Sequence, residues 1–163
     1  MKYISQKAMM SPDEKYRYVL IRTWNTLATD PFGLRYVIFV GLNPSTADAT
    51  VDDPTIRRCV NYAKAWGFTG MGMLNLFALR ATQPSDMMKE IEPVGEFNDK
   101  WIKYFTEDAG LVVACWGAHG SFLGRDKVVR AMIPHLNYLR LTKQGHPAHP
   151  LYLPGNLEPK EWL

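Results

Sequence analysis

Four apolar, strand-like runs alternate with helical patterns along this chain, and a polar segment lies at or just after the end of each run. The runs are Arg35–Val40, Met71–Phe77, Leu111–Trp116 and Tyr138–Thr142. Strands that alternate with helices in this way predict a parallel sheet with helices on both faces. Ligands of open α/β sheets bind beyond the carboxyl ends of the strands. The polar segments are therefore expected to converge on one crevice.

The polar segments carry the side chains that are the main candidates for chemistry. They are G-L-N-P-S at Gly41–Ser45, L-N-L at Leu74–Leu76, W-G-A-H at Trp116–His119 and H-P-A-H-P-L at His146–Leu151. Taken together, they predict one active site.

The predicted fold is a single α/β domain over residues 1–163, a three-layer sandwich around a mainly four-stranded parallel sheet. A further strand, Arg17–Trp24, is expected at the N-terminal edge of that sheet. Asp53 is a good helix N-cap, and Pro54 suits the first helical position. The predicted helices are Asp53–Trp66, Pro84–Ile91, Phe97–Glu107 and Ser121–Leu136.

Composition and charge narrow the classes of protein. No apolar stretch approaches the ~20 residues that span a bilayer, and Met1–Glu14 lacks the apolar block of a secretory signal. Cys59 and Cys115 both lie in apolar patterns, which indicates buried thiols in a reducing cytoplasm. The net charge of +3 permits nucleic-acid binding without requiring it. We expect a cytoplasmic protein with no membrane contact.

Gly41, Leu42, Asn43, Pro44 and Ser45 form the first candidate site segment. Glycine permits close approach of a ligand, and Pro44 favours an extended backbone at Asn43. An amide held in this way can orient a water molecule. The alternative is an ordinary strand-ending turn, since Asn, Pro and Ser all form turns.

Asn75 interrupts an apolar run, where a buried amide without partners would cost about 1–3 kcal/mol. A hydrogen-bonded structural asparagine at a strand end is one explanation. The other is an amide that faces a pocket and reads the edge of a pyrimidine, which needs a donor and an acceptor together.

The last two segments contribute aromatic and imidazole groups. Trp116 and His119 are explained either by packing and a surface histidine or by a site. His146 and His149 lie between prolines in a rigid loop, where a histidine can stabilise a departing anion. Two histidines also suggest a metal, but no carboxylate or cysteine accompanies them at useful spacing, so no metal is expected.

Several basic residues are placed to meet a phosphate backbone, although each also fits an ordinary solvated surface. The candidates are Arg57, Arg58, Arg80 and Lys143.

The ordered set of motifs resembles the uracil-DNA glycosylase superfamily, over about Arg35 to Leu153. That superfamily has a G-x-[N/D]-P motif after the first parallel strand, a strand ending in L-L-N, a strand leading into W-G-x-x, and an H-P-x-P-L-type loop. The matching stretches here are Gly41–Pro44, Met73–Asn75, Val112–His119 and His146–Leu151. The chain also resembles a bacterial and phage family of uncharacterised proteins with N-P-S-T-A-D, D-D-P-T-I-R-R, N-L-F-A-x-R-A-T and H-P-L-Y-L motifs.

The superfamily resemblance implies a monofunctional DNA N-glycosylase, of the kind used in DNA repair, that needs no cofactor and flips its target base out of single- or double-stranded DNA. Asn43 would position the attacking water, as in the mismatch-specific branch, and Asn75 would read the flipped base. His149 would stabilise the leaving base; it is preferred over His146 because His-Pro-Leu follows it directly. Leu151 or Tyr152 would fill the hole left in the duplex. A monomer is expected.

Two departures from the superfamily pattern bear on the reaction. The first motif lacks the water-activating aspartate of the most active branch, which implies a slower enzyme or a base that leaves easily. Ser45 stands where the strict uracil branch has a tyrosine that excludes substituents on the fifth carbon of the pyrimidine. A thymine or a larger modified pyrimidine is therefore expected to fit.

Two other functions remain open from the sequence. One is a non-catalytic binder of nucleic acid or nucleotides. The other is a hydrolase or transferase of free nucleosides or nucleotides, which needs the pocket but no DNA groove.

Overall fold

The computed structural model describes residues 3–25 and 36–163, so Arg35, the first residue of the strand predicted over 35–40, lies outside the described residues. Within them, one mixed sheet has the strand order β1-β2-β4-β3-β5-β6-β7. The strands are β1 (Ser5–Met10), β2 (Arg17–Thr23), β3 (Tyr36–Gly41), β4 (Gly70–Asn75), β5 (Leu111–Ala114), β6 (Asn137–Tyr138) and β7 (Lys160–Glu161).

The centre of the sheet is parallel. β4, β3, β5 and β6 run in the same direction, with Ile38 opposite Gly72 on one side and Val112 on the other. The prediction of a four-stranded parallel centre is confirmed. The outer strands β1, β2 and β7 are antiparallel to their neighbours.

The predicted edge position of the Arg17–Trp24 strand is wrong. The strand itself is present as β2, but it lies between β4 and β1, paired antiparallel to both. Ser5–Met10 takes the edge instead, with Ser5 opposite Thr23. Its sequence, S-Q-K-A-M-M, starts with three polar residues and lacks the alternation that marks a strand.

Helices cover both faces of the sheet, which gives the α/β protein three layers. They are α1 (Pro54–Ala65), α2 (Pro84–Met88), α3 (Asn98–Glu107) and α4 (Arg125–Met132). Alternate residues of β3 serve two separate cores: Ile38 and Val40 share one with α3 and α4, while Val37 and Phe39 share the other with α1. No helix in the described ranges is long and apolar enough to cross a membrane.

The beginning of α1 was predicted correctly. The Asp53 side chain accepts a hydrogen bond from the Ile56 amide at 2.9 Å, and Pro54 is the first helical residue. After the helix, Gly67 has a φ of +82°. Cys59 on α1 and Cys115 after β5 are both buried free thiols, as their apolar surroundings in the sequence predicted.

Several predicted elements end earlier than expected: the helix predicted over 84–91 stops at Met88, and the strands predicted over 71–77 and 111–116 stop at Asn75 and Ala114. Two further elements differ more. The helix expected over 121–136 is a short 3₁₀ helix, Ala118–Gly124, followed by α4, because Leu123 and Gly124 have positive φ angles of 55° and 64°. The fourth parallel strand stops at Tyr138, because Arg140 and Thr142 hydrogen-bond to the histidine loop instead.

The chain reverses its direction of winding at β3. From β3 it crosses through α1 to β4 on one side, and it returns through α3 to β5 on the other side. Helices on opposite faces leave a crevice at the carboxyl end of the strand between them. Gly41 ends β3, so the first polar segment begins at this crevice.

Candidate active site

A cavity of about 570 Å³ opens at the carboxyl ends of β3, β4 and β5. Residues from all four polar segments line it. They are Gly41–Ser45, Asn75, Trp116–His119, His149 and Leu151, joined by Tyr152. Backbone hydrogen bonds hold the segments together: the Leu76 amide donates to Gly41, and the Gly117 amide donates to Pro147.

Asn43 is fixed in orientation. Its Nδ2 donates to the carbonyl oxygen of Ala81 at 2.9 Å and to that of Pro44 at 3.2 Å. The Ala81 amide donates back to Pro44 at 2.9 Å. Both amide hydrogens of Asn43 are therefore used, and among the described residues no donor reaches its Oδ1. That oxygen is available to accept a hydrogen bond from water.

Asn75 lies against the end of β3. A Cβ atom added to Gly41 would be 2.9 Å from Asn75 Oδ1, so glycine at this position leaves room for the amide. The Nδ2 of Asn75 is buried and has no hydrogen-bond partner in the described structure. A buried donor without a partner costs free energy, which a ligand acceptor in the cavity would recover.

The backbone beside Asn75 is held by two side chains that the sequence analysis did not identify. Asn98 Nδ2 donates to the carbonyl oxygens of Asn75 at 3.0 Å and Leu76 at 3.1 Å. Arg125 Nε also donates to Leu76, and its Nη2 forms an ion pair with Asp99 at 2.8 Å. Nothing in the local sequence around Asn98 or Arg125 indicates these long-range contacts.

His149 has a defined tautomer in the cavity. Its Nδ1 accepts a hydrogen bond from the Leu151 amide at 3.2 Å, so the proton of the neutral ring is on Nε2. Burial lowers the pKa of His149 from its ordinary value of 6.5, and the charge of Asp53 opposes that shift. The neutral ring, with Nε2–H as its donor, therefore predominates at neutral pH.

His146 does not line the cavity. Its amide donates to the Thr142 hydroxyl at 3.1 Å, and its carbonyl oxygen accepts from the Thr142 amide. The Ala148 amide likewise donates to the carbonyl oxygen of Arg140. His146 therefore belongs to the turn that supports the loop, and of the two histidines only His149 borders the cavity.

The Trp116 segment forms one wall of the cavity. Trp116 is 2% exposed, packs against Trp162 and has an Nε1 without a described partner. Gly117 has a φ of +73°, which turns the chain out of the sheet. His119 lines the cavity from an exposed position on the 3₁₀ helix that follows.

The mouth of the cavity carries two exposed apolar side chains. Leu151 is 39% exposed and Tyr152 is 84% exposed, on the 3₁₀ helix Pro150–Tyr152. The Tyr152 ring lies 5.6 Å from that of His149, centroid to centroid.

None of the four predicted phosphate-binding residues is part of the cavity lining. Arg57 is exposed on α1, the Arg58 guanidinium lies 6.0 Å from the centroid of the Tyr62 ring, and Lys143 is exposed in the turn before His146. Arg80 lines an adjoining cavity of about 480 Å³, which also includes Ser45.

Two charged residues in the lining were not predicted as site residues. Asp53 was interpreted as a helix cap, and it caps α1 and also lines the cavity. Arg17 is 2% exposed, and its Nη1 donates to the carbonyl oxygen of Ala47 at 2.9 Å. Arg17 begins an apolar strand pattern, where a surface position was the ordinary expectation for a cation.

A second buried arginine fixes the loop that leads to Asp53. Arg22, fully buried on β2, pairs with Asp52 at 2.8 Å and donates to the carbonyl oxygen of Asp48. The Tyr3 hydroxyl donates to the other oxygen of Asp52 at 2.6 Å. This wall of the cavity is thereby tied to the sheet.

Over residues 17–151 the chain matches a protein family described as "Protein of unknown function (DUF1643)". No curated protein and no solved structure matches the chain. The matched range contains all four polar segments. In the described part of the chain, no group of three or more His, Cys, Asp or Glu residues is placed to hold a metal ion.

Proposed function

The chain belongs to the DUF1643 family, whose function is unknown, and from its cavity we propose that it is a DNA N-glycosylase acting on a damaged, mismatched or modified pyrimidine. A fold like that of the uracil-DNA glycosylase superfamily is part of this proposal. The parallel strand centre and the order of the four polar segments support it.

One observation carries the proposal: the cavity holds a fixed acceptor and a fixed donor. Asn43 presents Oδ1 because Ala81 and Pro44 occupy its Nδ2. His149 presents Nε2–H because Leu151 donates to its Nδ1. Hydrolysis of an N-glycosidic bond needs a positioned water and a donor for the departing base, and these two residues supply both.

The proposed reaction follows from these two groups. Water held by Asn43 Oδ1 adds its oxygen to the anomeric carbon, while the electron pair of the carbon–nitrogen bond leaves with the base. The base departs as an anion, which the Nε2–H of His149 stabilises. The attacking water releases its proton to solvent. A neutral donor suits this role, and the lowered pKa of His149 keeps it neutral near pH 7.

Recognition of the base is assigned to Asn75. Its Nδ2 has no partner among the described residues and lies at the end of β4, beside the first segment. A pyrimidine carbonyl would satisfy that donor. A side-chain amide offers a donor and an acceptor to the edge of a base.

The exposed residues at the mouth fit a role in base flipping. A flipped base leaves a gap in the stack, and Leu151 or Tyr152 would fill it. Arg57 and Lys143 are exposed and would contact phosphates of the strand. Both single-stranded and double-stranded DNA are therefore proposed as substrates.

Ser45 bears on which pyrimidine is accepted. It lines the cavity and is half-buried, with a side chain much smaller than the tyrosine of the uracil-restricted enzymes. We therefore propose that the substrate carries a substituent on its fifth carbon.

The experiment incubates the protein with duplexes and single strands that each contain one test base, then cleaves abasic sites with alkali. Uracil, mispaired thymine and several pyrimidines substituted on the fifth carbon form the panel. Strand cleavage that appears with the unaltered protein and not with Asn43→Ala is expected. Free nucleosides and nucleotides are assayed in parallel. Hydrolysis of these alone, with no cleavage of any DNA, would contradict the proposal.

A further inference from the structure

We propose that the cavity receives an oxyanion of the substrate, a carboxylate or a phosphate group, and that Arg17 binds it. This inference rests on the proposed function in taking the ligand to be a pyrimidine or its nucleotide. The new element is the negative charge of the group on the ligand that enters the cavity.

The first argument is that Arg17 is a buried cation without an ion-pair partner. It is 2% exposed, and the ion pairs found among the described residues are Arg22–Asp52 and Arg125–Asp99. An isolated buried charge is costly, so buried cations are nearly always paired. An anionic ligand would supply the missing partner.

The second argument is that most of the guanidinium remains available. Nη1 donates to Ala47, whereas Nε has no acceptor in the described structure. A guanidinium has five N–H donors in a planar fork that matches the two oxygens of a carboxylate or phosphate. The hydrogen bond to the neutral carbonyl oxygen of Ala47 uses one of these donors and does not use the paired arrangement.

The third argument concerns the surrounding charges. Burial lowers the pKa of Arg17 to about 10, so it is still protonated at neutral pH. Asp53 and Asp48 favour its charge, but the nearby Arg80 and Arg22 oppose it. The carboxylate of Asp53 forms no ion pair with Arg17 and caps α1 instead. The positive charge at Arg17 is thus not cancelled by a direct contact.

The position of Arg17 excludes the backbone of a DNA strand as the source of the anion. Strand phosphates stay at the surface, whereas Arg17 is buried in the lining of the cavity. Two sources remain: an acidic substituent on the base, or the phosphate of a free nucleotide. Arg17 contacts Ala47, two residues after Ser45, which borders the fifth carbon of the pyrimidine in the proposed function.

Pairs of ligands that differ only in charge test the inference in the unaltered protein. Uracil-5-carboxylic acid is compared with uracil-5-carboxamide, which has nearly the same shape, and deoxyuridine 5′-monophosphate is compared with deoxyuridine. NMR titration measures all four affinities, since it detects weak binding. We expect the charged member of one pair to bind at least about tenfold more tightly than its neutral counterpart. The pair that shows the preference identifies the source of the anion.

Two variants assign the preference to Arg17. Arg17→Met removes the charge, and we expect it to abolish the preference; Arg17→Lys keeps a cation and should retain part of it. Arg140→Met, at an exposed position, is the matched control and should bind as the unaltered protein does. If Arg17→Met does not fold, the affinities of the ligand pairs for the unaltered protein still test whether the cavity prefers an anion.

Equal affinities within both pairs would overturn the inference, as would a preference that persists in folded Arg17→Met. These outcomes are separate from the failure of the glycosylase proposal, because binding of free ligands requires no bond cleavage. If no DNA is cleaved but the acid binds clearly more tightly than its amide, the anion site is supported and the proposed reaction is refuted.

Discussion

The side-chain amide of Asn43 donates a hydrogen bond to the carbonyl oxygen of Ala81 at 2.9 Å, which joins the first polar segment to the loop that follows β4. The Ala81 amide in turn donates to the carbonyl oxygen of Pro44, so two hydrogen bonds join these loops. An asparagine held at both hydrogens cannot rotate without losing two hydrogen bonds. Its oxygen is therefore pre-oriented, which saves the reorganisation that a freely rotating amide would need.

Asn43→Ala is expected to reduce the rate of base release at least about a hundredfold, because the attacking water loses its acceptor. DNA affinity, measured by fluorescence anisotropy, should be nearly unchanged, since Asn43 is not placed to contact phosphates. Asn61→Ala on the exposed face of α1 is the matched control. An unchanged rate, or a parallel loss of binding and rate, would contradict the role assigned to Asn43.

His149→Ala should lower the rate of base release at least about tenfold, whereas His146→Ala should cost less. The two histidines share one loop, but only His149 borders the cavity. Single-turnover kinetics with saturating enzyme measures the step directly. The reverse order of effects would show that the supporting turn, and not the cavity residue, carries the chemistry.

The stability of the protein should depend on His149 in mild acid. Burial holds the folded pKa of His149 below the value of 6.5 in the unfolded chain, so the unfolded chain takes up the proton first as the pH falls. The contribution of the neutral ring to stability is complete above 6.5 and is lost as the pH falls toward the folded pKa. Urea unfolding at about pH 7.5 and about pH 5 should therefore show a larger loss for the unaltered protein than for His149→Gln. Equal losses would exclude this linkage.

Ser45→Tyr should suppress release of a pyrimidine substituted on its fifth carbon much more than release of uracil. The added ring would occupy the space beside Ser45 in the cavity, and only the substituted base would meet it. One assay on both bases in the same duplex context makes the comparison, with Ser45→Ala as the small-residue control. If both activities fall equally, or the unaltered protein never releases a substituted base, Ser45 does not select the substrate.

The sequence predicted the parallel centre of the sheet because strand-like runs alternate with helical patterns, and because β3 and β5 are continuous apolar runs, which are typical of strands buried on both faces. It missed β1, whose polar residues pair with β2 through the backbone and leave no periodic signal. The sequence also predicted one helix where the structure has the 3₁₀ helix and α4. The break between them includes a positive φ angle at Leu123, and a leucine gives no sign of such an angle in the sequence.

Of the site, the sequence predicted the residues that interrupt or end apolar runs, such as Asn43 and Asn75. It did not predict Arg17, since an arginine at the start of a strand is compatible with either solvent or a cavity until the neighbours are known. Asn98 was missed for a related reason: its hydrogen bonds reach residues more than twenty positions away in the chain. Such contacts depend on how the helices pack, which local patterns do not encode.

Several contacts that complete the fold involve residues outside the range of the family match, 17–151. Tyr3, which holds Asp52, precedes the matched range, and Trp162, which packs against Trp116, follows it. The Tyr62 hydroxyl likewise donates to Pro154, outside the match. A fragment cut for expression at 17 and 151 would lose both outer strands β1 and β7 and leave the edge of β2 unpaired. Boundaries chosen for crystallisation or screening should therefore follow the sheet and not the family match.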